Sequence, residues 1–322
     1  MKRSSLATAI LAALCAAGVA QAEEAASGGA FAAENFSATM KLTNDYRVRG
    51  ISNSDGAAVS ASVDWGYKGF FVGTWASNTE FSDANIEIDY YGGYGWAWGG
   101  VDFVLQGLYY TFPGEDPKLT EGLDPPGFDP TIGGPSAFPE PTAFLNGGPP
   151  GAVQPFSGQL PDIDADYFEL NVGVSKTWES SLSPSIGFNY HFSPDFFGED
   201  GAGHHFGLSL GMTLPMGLSP YINAGYQDVE GDEFSAYFGT PDGYNWEYFQ
   251  IGASYDVVGF TLDLSWVWAT EGGNCGGAGQ QLCAFNGGFE TFYNDYSYAA
   301  EGNTSYRDLT DDAVVFSISR SF

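Results

Sequence analysis

Nine charged side chains share one phase of an alternating pattern, and together they could line the two walls of a watery passage: Lys41, Asp45, Arg47, Arg49, Glu87, Asp89, Asp102, Glu169 and Asp263. Opposed rows of unlike charge across a narrow lumen set a transverse field that orders water and admits small hydrophilic solutes. Asp64 falls at the same phase, and Tyr91, Tyr110 and Tyr167 would narrow the bore. Carboxylates outnumber cations here, so the expected preference is for cations. The alternative is that the same charges pair with one another and simply fill the interior.

Hydrolytic chemistry has less to work with. The chain has three histidines, His191, His204 and His205. Ser193, Asp195, Glu199 and Asp200 lie in the connection between them. The nearest approach to a nucleophile motif, Gly207-Leu208-Ser209-Leu210-Gly211, sits in an alternating segment rather than at a strand-to-helix elbow, where the serine would have to stand. The expectation is that the protein is not an enzyme, with a surface hydrolase as the lesser reading. No cofactor is expected. Cys275 and Cys283 share a Gly-rich segment without a histidine, which predicts a small loop disulfide rather than a metal site.

The elements that must hold these groups are strands. Side chains of a strand alternate between its faces, and about twelve period-2 segments can be read. The first spans Phe36 to Arg49, with Phe36, Ala38, Met40, Leu42, Tyr46 and Val48 on the apolar phase. Others start near Ala57, Phe70, Ala84, Val101, Tyr167, Ser185, His205, Tyr221, Trp246, Phe260 and Asp312. Phe260 to Trp268 is the sharpest: Phe260, Leu262, Leu264, Trp266 and Trp268 oppose Thr261, Asp263 and Ser265. Phe70 to Ser77 carries aromatics on both phases, so its orientation is open.

The segments predict an all-β, closed antiparallel transmembrane barrel. Connections two, four, six, eight and ten are short, near Gly66 to Gly69, Ala97 to Gly100, Thr177 to Pro184, Pro215 to Ser219 and Asp256 to Gly259, whereas the other set contains the long ones. This parity is that of outer-membrane barrels, with short periplasmic turns and long outer loops. The long loops include 113–164, which holds 12 of the 17 prolines, the acidic stretch from Asp228 to Tyr244, and the cysteine-containing 270–310. Trp96, Trp246 and Trp268 near strand ends fit interfacial girdles.

Composition agrees. Aromatics are 16% of residues, 45 are glycine, and mean hydropathy is −0.13, as expected where polar lumen positions offset lipid-facing ones. Lys2 and Arg3, the apolar run Leu6 to Val19 and Ala20-Gln21-Ala22 predict a cleaved secretory signal over 1–22, a short lead over 23–35 and the barrel over 36–322. With 40 acidic and 10 basic residues and a formal charge of −30, nucleic acid is a poor partner. The expected partners are the bilayer and lipopolysaccharide of a Gram-negative outer membrane. Divalent cations could join at loop acids such as Glu115, Asp116, Glu121, Asp124 and Asp129, although solvated loop is the plainer reading. The last segment, Val314 to Phe322, ends on an aromatic, as expected of a closing strand that engages the assembly machinery. In it only Arg320 breaks the apolar phase.

Thr43-Asn44-Asp45-Tyr46-Arg47-Val48-Arg49-Gly50-Ile51-Ser52, followed by Gly69-Phe70-Phe71-Val72-Gly73-Thr74-Trp75-Ala76-Ser77 and Glu87-Ile88-Asp89-Tyr90-Tyr91, resembles the start of the TorF family of proteobacterial outer-membrane porins. Phe249 to Tyr255 and Val314 to Phe322 are similar to that family's C-terminal half. The resemblance implies an exported barrel acting as a passive channel, and it covers most of the chain apart from the insertions 113–164 and 271–310. The reading is therefore a narrow, cation-preferring channel for small hydrophilic solutes or ions. A closed structural or adhesion barrel working through acidic outer loops is the alternative.

Overall fold

The structure is a computed structural model that describes residues 29–54, 56–79, 84–114, 166–196, 201–230, 244–270 and 311–322. Twelve strands close into an antiparallel barrel: β1 (Phe36–Thr43), β4 (Ala58–Tyr67), β5 (Phe70–Asn78), β6 (Ile86–Trp98), β7 (Val101–Thr111), β8 (Tyr167–Thr177), β9 (Ser185–Ser193), β10 (Gly203–Gly211), β11 (Leu218–Val229), β12 (Tyr244–Val257), β13 (Phe260–Ala269) and β14 (Ala313–Ser321). Each strand pairs with its neighbour in the chain, and β1 pairs with both β4 and β14. Two further short strands, β2 (Arg47–Val48) and β3 (Ile51–Ser52), pair only with each other.

Closure follows from the edge problem. An open twelve-stranded sheet would leave two rows of unpaired backbone groups, which lipid cannot satisfy. Here β14 supplies the missing edge to β1, in a register that sets Lys41 opposite Ser319 and Thr43 opposite Ser317. The final residue takes part, since Phe322 N donates to Ala38 O at 2.9 Å. Arg320 points outward, with its guanidinium 5.1 Å from the Phe260 ring centre and 5.0 Å from that of Phe322, so its charge lies on aromatic faces at the rim.

Polarity is inverted relative to a water-soluble protein. Outward positions are apolar and bare, with Val63 56%, Leu264 55% and Val314 61% exposed, whereas inward Glu87, Asp89 and Gln227 are at most 1% exposed. Such a surface is stable in lipid, and the apolar phase of every strand forms the band that lipid covers. In β5 the structure decides the orientation: Phe71 is buried inside and Phe70 stands outside.

The parity of the connections is also as expected. Tight turns join β4 to β5 at Lys68-Gly69 and β12 to β13 at Val258-Gly259, each with both residues at positive φ, the geometry that suits a twisted hairpin. All five short connections share one end with both described termini, and the strand ends that lead into the long connections share the other.

Two expectations fail. The first strand stops at Thr43 instead of Arg49, because Asn44 diverts the chain. Its Oδ1 accepts from Phe316 N at 2.7 Å and its Nδ2 donates to Val314 O at 3.0 Å, so beyond the last backbone bond, Asn44 N to Phe316 O, the side chain continues the pairing with β14 while the backbone turns inward. Asp45, Arg47 and Arg49 are thus loop residues. Trp246 does not belong to an outer girdle either: even positions of β12 face the lumen, and Trp246 is 4% exposed there. Trp96 and Trp268 do face outward. Cys275 and Cys283, the signal over 1–22 and the loop acids from Glu115 to Asp129 lie outside the described residues.

Closure of the barrel is directly testable. Thr39 Oγ1 and Ser321 Oγ lie 2.9 Å apart across the β1–β14 seam, so the double variant Thr39→Cys/Ser321→Cys should form an intramolecular disulfide on oxidation. The cross-linked protein should keep its compact migration on electrophoresis at temperatures that unfold the parent.

Candidate functional site

The segment from Asn44 to Ala57 folds into the barrel mouth at the long-loop end and meets strands around the wall. Its hairpin turns at Arg49-Gly50, with φ of 50° and 88°. Gly50 is required twice over: its φ is left-handed, and a Cβ there would lie 2.6 Å from Tyr248 Cβ and 2.9 Å from Ala269 Cβ. The loop is braced internally. Arg47 Nε donates to Asp45 Oδ2 at 2.5 Å, Ser52 Oγ to Asp45 Oδ1 at 2.6 Å, and Asn53 N to Tyr46 O at 2.7 Å. Arg47 also reaches Asp311 O at 2.7 Å, tying the loop to the chain entering β14.

Arg49 fastens this loop to the wall. Its Nη2 donates to both oxygens of Glu169 at 2.7 Å, and its Nη1 donates to Gln227 Oε1 at 2.7 Å. The Glu169 carboxylate also accepts from Tyr110 OH at 3.1 Å and His191 Nδ1 at 3.0 Å, so four donor contacts surround one buried anion. Trp246 Nε1 donates to Arg49 O at 2.9 Å, which fixes the backbone as well as the side chain. On another wall, Tyr46 stacks obliquely on Trp75 with ring centres 5.2 Å apart and donates to Glu87 Oε1 at 3.1 Å. The loop's own partners come from β5, β6, β8, β11 and β12, so it is attached across the bore.

Below the loop the lumen is uneven. Along β5 to β8 it is packed by Phe71, Tyr91, Val104, Leu108, Gln106 and Asn171, all buried. Along β11 to β14 and β1 it is polar and half-buried: Tyr221 donates to Asp263 at 2.9 Å, Asn223 to Gln250 at 3.0 Å and Gln250 to Ser265 at 3.0 Å, and Lys41 lies within electrostatic reach of Asp263. Gly225 and Gly252 make this side passable for aromatic rings. A Cβ on Gly225 would lie 2.3 Å from the Tyr248 ring, and one on Gly252 would lie 2.6 Å from the Tyr221 hydroxyl.

Lys41, Glu87, Asp89, Asp102, Glu169 and Asp263 lie on the lumen-facing phase of their strands. Their surroundings differ. Lys41, Asp102 and Asp263 meet solvent in part, whereas Glu87, Asp89 and Glu169 are at most 1% exposed and face the loop rather than water. Asp45, Arg47 and Arg49 reach the lumen from the loop. Asp64 is buried and accepts from Tyr91 OH. Gln227, Trp246 and Tyr248 belong to the loop's seat and are not evident from the sequence. Inward phase was their only signal, and dozens of residues share it. His205, whose Nε2 lies 3.1 Å from Tyr248 OH, and His191 stand in one cluster with ring centres 5.2 Å apart. Ser193 Oγ is engaged by Asp195 O at 2.7 Å.

Residues 25–122 match the model of a family described as "Bacterial protein of unknown function (Gcw_chp)". No curated protein matches the sequence. Among solved structures, the chain is similar to the KdgM porin at 7% identity, covering 89% of this chain and 99% of that one with a TM-score of 0.41. It is similar to the NanC porin at 8%, covering 87% and 98% with a TM-score of 0.43. It is also similar to LpxR from Salmonella typhimurium at 10%, covering 89% and 99% with a TM-score of 0.34.

The Arg49–Glu169 contact has a measurable consequence. Both side chains are nearly out of water, at 8% and 2% exposure, so Arg49→Ala leaves a buried carboxylate short of its main partner and should cost about 3–5 kcal/mol. The double variant Arg49→Met/Glu169→Leu should recover most of that loss. Urea unfolding of the three proteins in detergent micelles checks both statements.

Proposed function

We propose that the protein is a narrow passive channel of a Gram-negative outer membrane, held shut on the cell-surface side by its first loop. Short turns lie in the periplasm and long loops outside, and lipid and lipopolysaccharide surround the apolar band. The observation that carries this reading is the nature of the loop's seat. Apart from Ile51, which joins the buried apolar cluster, and Tyr46 against Trp75, the loop is held by hydrogen bonds from Arg49, Tyr46 and Trp246, and water can replace hydrogen bonds far more cheaply than it can replace hydrophobic packing. Beneath the loop, Lys41, Tyr221, Asn223, Gln250 and Asp263 form a polar path of the kind small hydrophilic solutes or ions would follow. The resemblance of the loop's own segment to TorF porins agrees.

Selectivity follows from charge. Glu87, Asp89, Asp102, Glu169 and Asp263 face the lumen against Lys41 and the loop's two arginines, which favours cations once the path is open. The reading gives catalysis no main role; His191 is bonded to Glu169 and His205 to Tyr248. One observation favours a second reading, a closed barrel acting through its outer loops: Glu87, Gln106, Glu169, Asn171 and Gln227 are all at most 2% exposed.

Planar-bilayer recording separates the two. The wild type should show rare, small openings, and Arg49→Ala or replacement of residues 45–53 by a Gly-Ser linker should raise open probability at least tenfold. In a potassium chloride gradient the reversal potential should report cations. Silence from all three proteins would support the closed barrel, and an anion-selective potential would contradict the charge argument.

A further inference from the structure

Asp89 stands at the heart of the closed region. It is 0% exposed, it faces inward from β6 between its cross-strand neighbours Trp75 and Tyr110, and among the described residues neither of its carboxyl oxygens has a hydrogen-bond partner. Glu87, two residues away on the same face, takes Tyr46 OH on Oε1. Glu169, the third carboxylate within electrostatic reach of Asp89, is already occupied by Arg49, His191 and Tyr110.

An ionised carboxyl group in such a place, with nothing donating to it, costs far more than a folded barrel can spare. Protonation would remove the charge, yet one proton shared with Glu87, whose Oε2 also has no hydrogen-bond partner among the described residues, still leaves a carboxyl oxygen of Asp89 without a donor, so a polar penalty would persist. A small cation carrying part of its water shell satisfies both oxygens at once. Among the described residues no three His, Cys, Asp or Glu side chains gather to hold a metal ion. The site therefore lacks the ligand set a divalent ion requires, whereas two carboxyl groups and retained water suit a monovalent one.

We infer that Asp89, with Glu87, forms a station for a small monovalent cation such as sodium, potassium or ammonium, directly under the first loop. This rests on the channel reading and names the class of solute that the path handles. It also links ion and loop: Tyr46 holds the oxygen of Glu87 beside the station, so the ion sits where the loop must part from the wall.

The test uses the folded full-length protein in detergent. The midpoint of its heat-dependent change in electrophoretic migration is measured at constant ionic strength as choline, a much bulkier monovalent cation, is replaced by potassium or rubidium. Binding to the folded state alone should raise the wild-type midpoint by about 2–4 °C. Asp89→Asn should abolish that dependence, and Asp64→Asn, which alters a buried carboxylate bound to Tyr91, should retain it. Equal midpoints in choline and potassium for the wild type, or an unchanged shift in Asp89→Asn, would overturn the station. Bilayer conductance of Arg49→Ala on the same preparations keeps the two readings apart. Conductance without a potassium-dependent midpoint removes the station and leaves the channel. A potassium-dependent midpoint without conductance leaves a structural ion in a closed barrel.

Discussion

A carboxylate withdrawn from water must be given donors, and the Glu169 side chain receives them from Arg49, Tyr110 and His191. Most of the long-loop end is arranged around that requirement. Arg49 can reach Glu169 only because the chain leaves the wall at Asn44 and turns at Gly50. Gly50 fits only because Tyr248 and Ala269 leave room for a residue without a side chain. Trp246 and Gln227 hold the arginine's backbone and second nitrogen. Remove the anion and the loop loses its reason to be inside; remove the loop and the anion is left inadequately satisfied.

This constraint also explains the unevenness of the lumen. Twelve strands enclose more space than a filled eight-stranded barrel and less than an open sixteen-stranded pore. One side of that space is taken by Phe71, Tyr91, Val104 and Leu108, which make a dry packing surface. The opposite side keeps hydrogen-bonding groups half-exposed, and the loop lies across its outer end. Hydrogen bonds thus dominate the attachment where the path would run, although Ile51, Val229 and Trp246 extend the apolar cluster to the loop and its seat.

Much of the fold is legible as alternation. In β13, Leu264 and Trp266 against Asp263 and Ser265 read correctly because every side chain faces either lipid or lumen and nothing else competes. Alternation misled at Tyr46-Arg47-Val48-Arg49, where a hairpin inside the barrel has the same period as a strand in its wall. The signals against a strand were Asn44 and Gly50, a side chain able to mimic backbone pairing and a residue free to turn left-handed, and both are weak alone. Trp246 was misplaced for a different reason: an aromatic near a strand end fits a lipid girdle by composition, and only the register of β12 assigns it to the inside. The inward phase of Glu87, Asp89 and Glu169 could be read from sequence. Their burial could not, because it is produced by a loop whose path depends on contacts far away in the chain.

The account stands or falls on whether residues 44–57 are held in the barrel. Hydrogen–deuterium exchange of the wild-type protein reports this directly, above all at the amide of Asn53, which donates to Tyr46 O. Protection of this segment approaching that of β6 and β8 is the predicted result. Exchange across it as fast as in an unstructured peptide would contradict the closed, loop-latched barrel.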